Sequence, residues 1–375
     1  MMQNSRAQET VDPSRSPGET PREDAAGGPP LGRRTFRLRN VASFLLALGI
    51  LYLVYRQLLG LDWGEVLASV QAANVWLFAL AFAVFYCSYL VRALRWEVLL
   101  SNVGYDRATG HPIPSALGLS RIMYIAWFAN CVTVARLGDA YRGYLLKKTS
   151  DVSFAVTLGT ILAERLLDLL VMAAMMGASV LVIFHGSLPS EATQALAAGL
   201  ILSVVGIVGL LALRRFRWAF ERVLPKRLHV HYSRLEHGVI DSFRRLPLLI
   251  AYSVVGWVIE GMTLYLVAAA VGVPISVAGA LVVALAASLL TTVPITPSGL
   301  GFTEAGMLVM LGWLGLDISS AGAVTLLFRL INYWSIVVLG LLLYLFSRNT
   351  NQLNKERLGA SGTLMKIPRF FISRS

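Results

Sequence analysis

The run Pro294-Ile-Thr-Pro297-Ser-Gly299-Leu-Gly301-Phe-Thr-Glu304 gathers two prolines, two glycines and a carboxylate between apolar stretches. Prolines end one half-helix, glycines permit a tight turn and close approach, and a new half-helix begins near Phe302. Free N–H groups at such a start favour an anion. Glu304, in the first turn, serves either that chemistry or a plain N-terminal cap. A second interruption runs from Asn130 to Arg142 and offers Arg136, Asp139 and Arg142 at a similar break.

Ionisable residues also lie inside the apolar stretches, where each costs on the order of 2.5–3.5 kcal/mol to insert. In Glu164-Arg165-Leu-Leu-Asp168 the two carboxylates share a helix face at i, i+4, and Arg165 reaches Asp168 at i, i+3. Glu164 falls about 11 residues, or ~16 Å, into its helix. This is either an ion pair that locks a bundle or a contact for a charged headgroup. Glu260 and Arg329 each sit near the middle of an apolar stretch, with Asn332, Tyr333 and Trp334 close to the arginine. They neutralise each other, or Arg329 offers its planar fork to a phosphate. Arg92, Arg95 and Trp96 follow an apolar run and read as interfacial anchors that snorkel.

The elements that position these residues are membrane spans. The chain has 375 residues, 56% hydrophobic and only 14% charged, with a mean hydropathy of +0.65. That excludes a soluble globular enzyme, a disordered chain and a nucleic-acid-binding domain. The net charge of +12 sits almost wholly between apolar spans, as in loops that face anionic lipid. A bilayer core takes roughly 20 apolar residues per helix. Candidate spans are Val41–Leu59, Val75–Val91, Phe154–Phe184, Ala192–Leu213, Leu248–Val271 and Ser319–Phe346.

Charge sets the sidedness. Arg33, Arg34, Arg37 and Arg39 precede the first span, nine Lys/Arg lie in Arg214–Arg245, and six follow Phe346. Both termini are therefore expected in the cytoplasm. Ala116–Val134 is followed by basic residues and reads as a re-entrant hairpin from inside. Val277–Leu316, with uncharged ends, reads as one from outside. Irregular backbone at that depth is tolerated where it is buried in protein or lines a wet cavity. The fold expected is an all-α polytopic membrane protein of about six full spans plus two re-entrant helical hairpins. Its halves, about 36–184 and 192–346, share one plan in opposite orientation, a pattern compatible with an inverted repeat. Residues 1–35 read as a disordered cytoplasmic N-terminus, 36–347 as the membrane domain and 348–375 as a basic cytoplasmic tail.

No Walker A, DxD, HExxH or GxSxG motif occurs, and Cys87 and Cys131 build neither a disulfide framework nor a zinc site. No cofactor or metal is expected. His229, His231 and His237 fall in the basic segment and read as a solvated amphipathic stretch.

At these residues the chain resembles the flippase-like family named for the transmembrane region of lysylphosphatidylglycerol synthase. The pattern is carried by Arg92-Ala-Leu-Arg95-Trp96, Asn130 with Arg136-Leu-Gly138-Asp139 and Arg142, and Glu164-Arg165 with Asp168. It continues through the proline-glycine loop with Glu304 to Arg329, Tyr333 and Trp334. Two departures are Val134, where the family usually has proline, and Ser298, where it usually has glycine. The resemblance implies a translocating membrane half without the synthase. It implies a plasma-membrane lipid translocase moving a phospholipid or lipid-linked headgroup, with anionic lipid at the cytoplasmic face and no nucleic acid. The candidate substrate contacts are Arg136, Asp139, Arg142, Glu164, Arg165, Asp168, Glu260, Pro297, Gly299, Gly301, Glu304, Arg329 and Tyr333. The alternatives are a membrane-embedded transferase acting on a polyprenyl-linked sugar, and a non-catalytic partner of a separate lipid-modifying enzyme.

Overall fold

Side-chain caps set several of the described helix starts. Asn74 accepts from the amides of Trp76 and Leu77, at 2.9 and 3.2 Å. Asp62, Ser115, Ser276 and Asp317 do the same at the heads of their helices, satisfying donors that no helical carbonyl can reach. The computed structural model describes residues 62–106, 113–133, 137–150, 152–184, 226–292 and 296–342, with isolated positions between 201 and 215. All of these belong to one compact unit, 45–375.

The helices are α1 (Trp63–Gln71), α2 (Val75–Asn102), α3 (Ala116–Val132), α4 (Leu137–Ser150) and α5 (Phe154–Phe184). After the basic segment come α6 (Lys226–Ile240), α7 (Leu246–Val271), α8 (Val277–Leu290), α9 (Phe302–Trp313) and α10 (Ile318–Arg329). No strand occurs among the described residues. Among the described residues, four helical stretches are long and apolar enough to cross a membrane: Val75–Asn102, Phe154–Ile183, His229–Val271 and Ile318–Leu342. The expected spans Val41–Leu59 and, almost wholly, Ala192–Leu213 lie outside the described residues. The second helix does not stop at Val91 but runs on to Asn102, carrying Arg92 and Arg95 into the protein.

The stretches read as re-entrant hairpins, from Ala116 and from Val277, are both broken helix pairs. In each, the two halves pack on one another, α3 on α4 and α8 on α9. Gly138 explains the closeness of the first pair. A Cβ there would run into the Ala126 carbonyl and lie 2.6 Å from the Asn130 amide oxygen. In the second, a short 3-10 turn, Pro297–Gly299, bridges the gap, with Ser298 at a φ of 47° and Gly299 at 66°. The two breaks meet: the Ser298 hydroxyl donates to the Asn130 carbonyl at 3.4 Å. The helix begun by α10 continues through a π turn, Leu330–Trp334. Tyr86 and Tyr124 hold it just beyond, at Ser335, with Tyr86 Oη 2.8 Å from Ser335 Oγ and Tyr124 Oη 3.4 Å from the Ser335 carbonyl.

Apolar packing divides into two clusters that follow one another along the long helices. One takes Phe85 and Tyr89 from α2 with Leu264 and Val267 from α7. The other takes Trp96 and Leu99 from α2 with Leu249 and Trp257 from α7. Arg92 and Glu260 fall between these positions on their two helices, so a charged layer is sandwiched between apolar ones.

Candidate functional site: a cavity of buried ion pairs

Arg95 organises one end of the charged layer. Its Nη1 lies 2.5 Å from Asp168 Oδ1 and 2.7 Å from Ser253 Oγ, and its Nη2 lies 2.7 Å from Glu164 Oε1. Glu164 also accepts from Arg142 Nη1 at 2.8 Å, and Trp257 Nε1 donates to Asp168 at 3.2 Å. The Arg142 guanidinium is stacked 3.7 Å from the Trp96 ring centre. Arg92 pairs with Glu260 at 3.2 Å and lies over the Trp257 ring at 4.6 Å and near Trp127 at 5.2 Å.

Two expectations are corrected here. Arg92, Arg95 and Trp96 are not anchors at a membrane edge; they are 4%, 1% and 0% exposed. Burial is tolerable because three carboxylates from α5 and α7 receive the two guanidinium groups. Arg165 does not close on Asp168 either. It reaches Asp139, with Nη2–Oδ1 at 3.0 Å and Nε–Oδ2 at 3.3 Å, because Arg95 already occupies both oxygens of Asp168. Asn130 completes this corner by donating to Asp139 at 3.3 Å and accepting from the Gly138 amide at 2.8 Å.

At the second break Glu304 does two jobs at once. Its Oε2 accepts from the Gly301 amide at 2.6 Å, capping α9, and its Oε1 accepts from Arg329 Nε at 2.6 Å. Arg329 therefore pairs with Glu304 and not with Glu260, whose carboxylate is met by Arg92 instead. Arg329 is 3% exposed and lies 4.7 Å from the Tyr333 ring centre. Its Nη2 is buried with no hydrogen-bond partner among the described residues. Tyr333 donates to the Cys131 carbonyl at 3.3 Å, tying the π turn to the first break.

Between these groups lies a cavity of about 330 Å³. Arg92, Arg165 and Arg329 line it together with Asp139, Asp168 and Glu260; Trp127, Trp257, Ser298 and Tyr333 form part of its wall. Three cations thus face three carboxylates in a space bounded by both broken helices. Of the remaining expected residues, Arg142 and Glu164 are buried behind this wall, and Pro297, Gly299, Gly301 and Glu304 shape the second break without lining the space. Arg136 lies outside the described residues. The sequence alone does not single out Trp127 and Trp257 as wall residues, although Trp257 sits at i, i+3 from Glu260 and so shares its helix face.

Comparison with known sequences adds a family. The family model described as the lysylphosphatidylglycerol synthase TM region matches residues 40–340. A UPF0104 membrane protein of Methanocaldococcus jannaschii is 35% identical over 227 residues, covering 59% of this chain and 95% of its own length. One from Methanothermobacter thermautotrophicus is 26% identical over 81% of this chain and 94% of its own. The protein named glycosyltransferase AglD of Haloferax volcanii is 26% identical over 75% of this chain, a match that spans 50% of that protein.

Proposed function

The chain belongs to the lysylphosphatidylglycerol synthase TM region family, and we propose that it is a lipid translocase that moves a phospholipid or lipid-linked headgroup across the cytoplasmic membrane. On this proposal both termini and the basic segment 214–245 face the cytoplasm, and the two broken helix pairs are re-entrant from opposite sides.

The observation that carries it is the cavity lined by paired charges between the two broken helices. A charged headgroup crosses ~30 Å of hydrocarbon only where polar groups replace its water. A volume of about 330 Å³ falls near the lower end of ligand pockets, roughly 300–1,000 Å³, and so suits a headgroup while the tails stay in lipid. Removing one partner of a buried ion pair costs about 3–5 kcal/mol. A zwitterion that presents a phosphate to the arginine and a cation to its carboxylate replaces both partners together, which lowers that cost. Arg329 is the first phosphate contact, because it lines the cavity and its buried Nη2 has no partner among the described residues. Asp168 and Glu260 are the counterparts for an amine.

The test is transfer of fluorescent lipid analogues between leaflets in proteoliposomes containing the purified chain. Arg329→Ala and Glu304→Ala are expected to abolish transfer in protein that still inserts and melts cooperatively. Undiminished transfer by a well-folded Arg329→Ala protein would make Arg329 a structural ion and refute the path.

A second reading, a membrane-embedded transferase acting on a polyprenyl-linked sugar, is favoured by the likeness to the Haloferax volcanii glycosyltransferase. Consumption of a sugar donor by the purified chain alone would select it.

A further inference from the structure

The α3–α4 hairpin has a second concave face. A groove of about 1210 Å³ lies against it and shares no lining residue with the central cavity. Tyr141, Tyr144 and Lys147 enter it from α4, and His231, Arg234 and His237 from α6; the start of α5 closes it. No carboxylate lines it among the described residues. Lys147 and Arg234 have no hydrogen-bond or ion-pair partner among the described residues, whereas His237 is engaged by Asp241. The Tyr141 and Tyr144 rings stack at 6.0 Å with 19° between their planes. The remaining wall is mostly aliphatic and aromatic, with Leu137 largely exposed at its edge.

Two unneutralised cations and an imidazole thus share one groove with a mostly apolar wall, a combination that matches a molecule with an anionic head and a hydrocarbon tail. A phosphate ester carries up to about two negative charges near neutral pH and several strong acceptors. A groove of this volume is far larger than a phosphate and leaves room for hydrocarbon beside it. We propose that the groove binds a phosphate-headed amphiphile, its head held by Lys147 and Arg234 and its tail laid along the apolar wall. This site is separate from the headgroup path: it would exist whether or not the chain moves lipid.

The test is saturable binding of farnesyl phosphate to the full-length protein in phosphatidylcholine nanodiscs, with inorganic phosphate and farnesol as separate arms. Lys147→Gln/Arg234→Gln should weaken farnesyl phosphate about tenfold or more, the loss of two charge-assisted contacts. Ala140→Trp, which fills the groove without altering charge, should do the same. Lys148→Gln/Arg245→Gln removes equal charge outside the groove and should change binding less than twofold. Equal loss in the two double variants would reduce the effect to surface potential and overturn the site. Inorganic phosphate binding as tightly as farnesyl phosphate would overturn the role of the tail. Loss on Arg329→Ala with retention in Lys147→Gln/Arg234→Gln would move the ligand to the central cavity.

Discussion

Asp168 receives Arg95 as a fork, Nη1 to Oδ1 at 2.5 Å and Nη2 to Oδ2 at 3.1 Å, with both side chains almost wholly enclosed. The contact joins α2 to α5, and through Ser253 and Trp257 it reaches α7. Three long helices are therefore fixed in rotation by one guanidinium.

Arg95→Ala should cost about 3–5 kcal/mol, since it leaves Asp168 and Glu164 buried with a partner removed. Chemical unfolding in detergent micelles measures it. The double variant Arg95→Ala/Asp168→Ala should be less destabilised than the sum of its singles by about 0.5–3 kcal/mol. Strict additivity would mean that the fork contributes nothing specific.

Two glycine substitutions should have opposite signs. Gly138→Ala drives a methyl into the Ala126 carbonyl and the Asn130 side chain, and overpacking of this kind costs about 1–3 kcal/mol. Gly256→Ala meets nothing within 4 Å inside α7 and should stabilise by about 0.5–1 kcal/mol through helix propensity. Melting temperatures of the two variants, measured side by side, decide the matter.

Asp317 caps α10 by accepting from the Ser320 amide at 2.8 Å. The backbone and side chain of Ser320 hold its carboxyl below the ordinary aspartate value. A depressed value means that the stability is fully present above the unfolded value, about 3.9, and is lost as pH falls through the folded one. Asp317→Ala should cost about 1 kcal/mol near neutrality. That difference should shrink below about pH 4 in acid titrations of the melting temperature.

Sidedness has a direct test in a background with Cys87 and Cys131 replaced. Ser187→Cys should react with an impermeant maleimide in intact cells, and Ser233→Cys only after permeabilisation. Labelling of position 233 from outside would reverse the orientation proposed from the basic segments.

Local grammar in the sequence is enough to locate helices and their breaks. Phe154–Phe184 has the bounds its apolar run suggests, and the proline-glycine loop does interrupt a helix and hand over to one begun at Phe302. What local grammar lacks is the rotation of one helix about its axis relative to the next. Spacing at i, i+3 makes Asp168 the natural partner of Arg165, yet the arginine faces α4 and meets Asp139, which lies 26 positions away. Arg92 and Arg95 depart from expectation for a related reason. A charge near the end of an apolar run is indistinguishable, in one dimension, from a charge whose counter-ion comes from a distant helix. Ser298 is a milder case: nothing in its type foretells a φ of 47°, and its position beside a glycine in a broken helix is the available hint.

Rewinding the π turn at Leu330–Trp334 to ordinary α geometry would swivel everything beyond it by about 100° relative to Arg329. Ser335 would then leave Tyr86, and its carbonyl would leave Tyr124. The two tyrosines therefore act as a torsional brake on the helix, and the angular setting of Arg329 is kept by hydroxyl groups bonded six residues further along it.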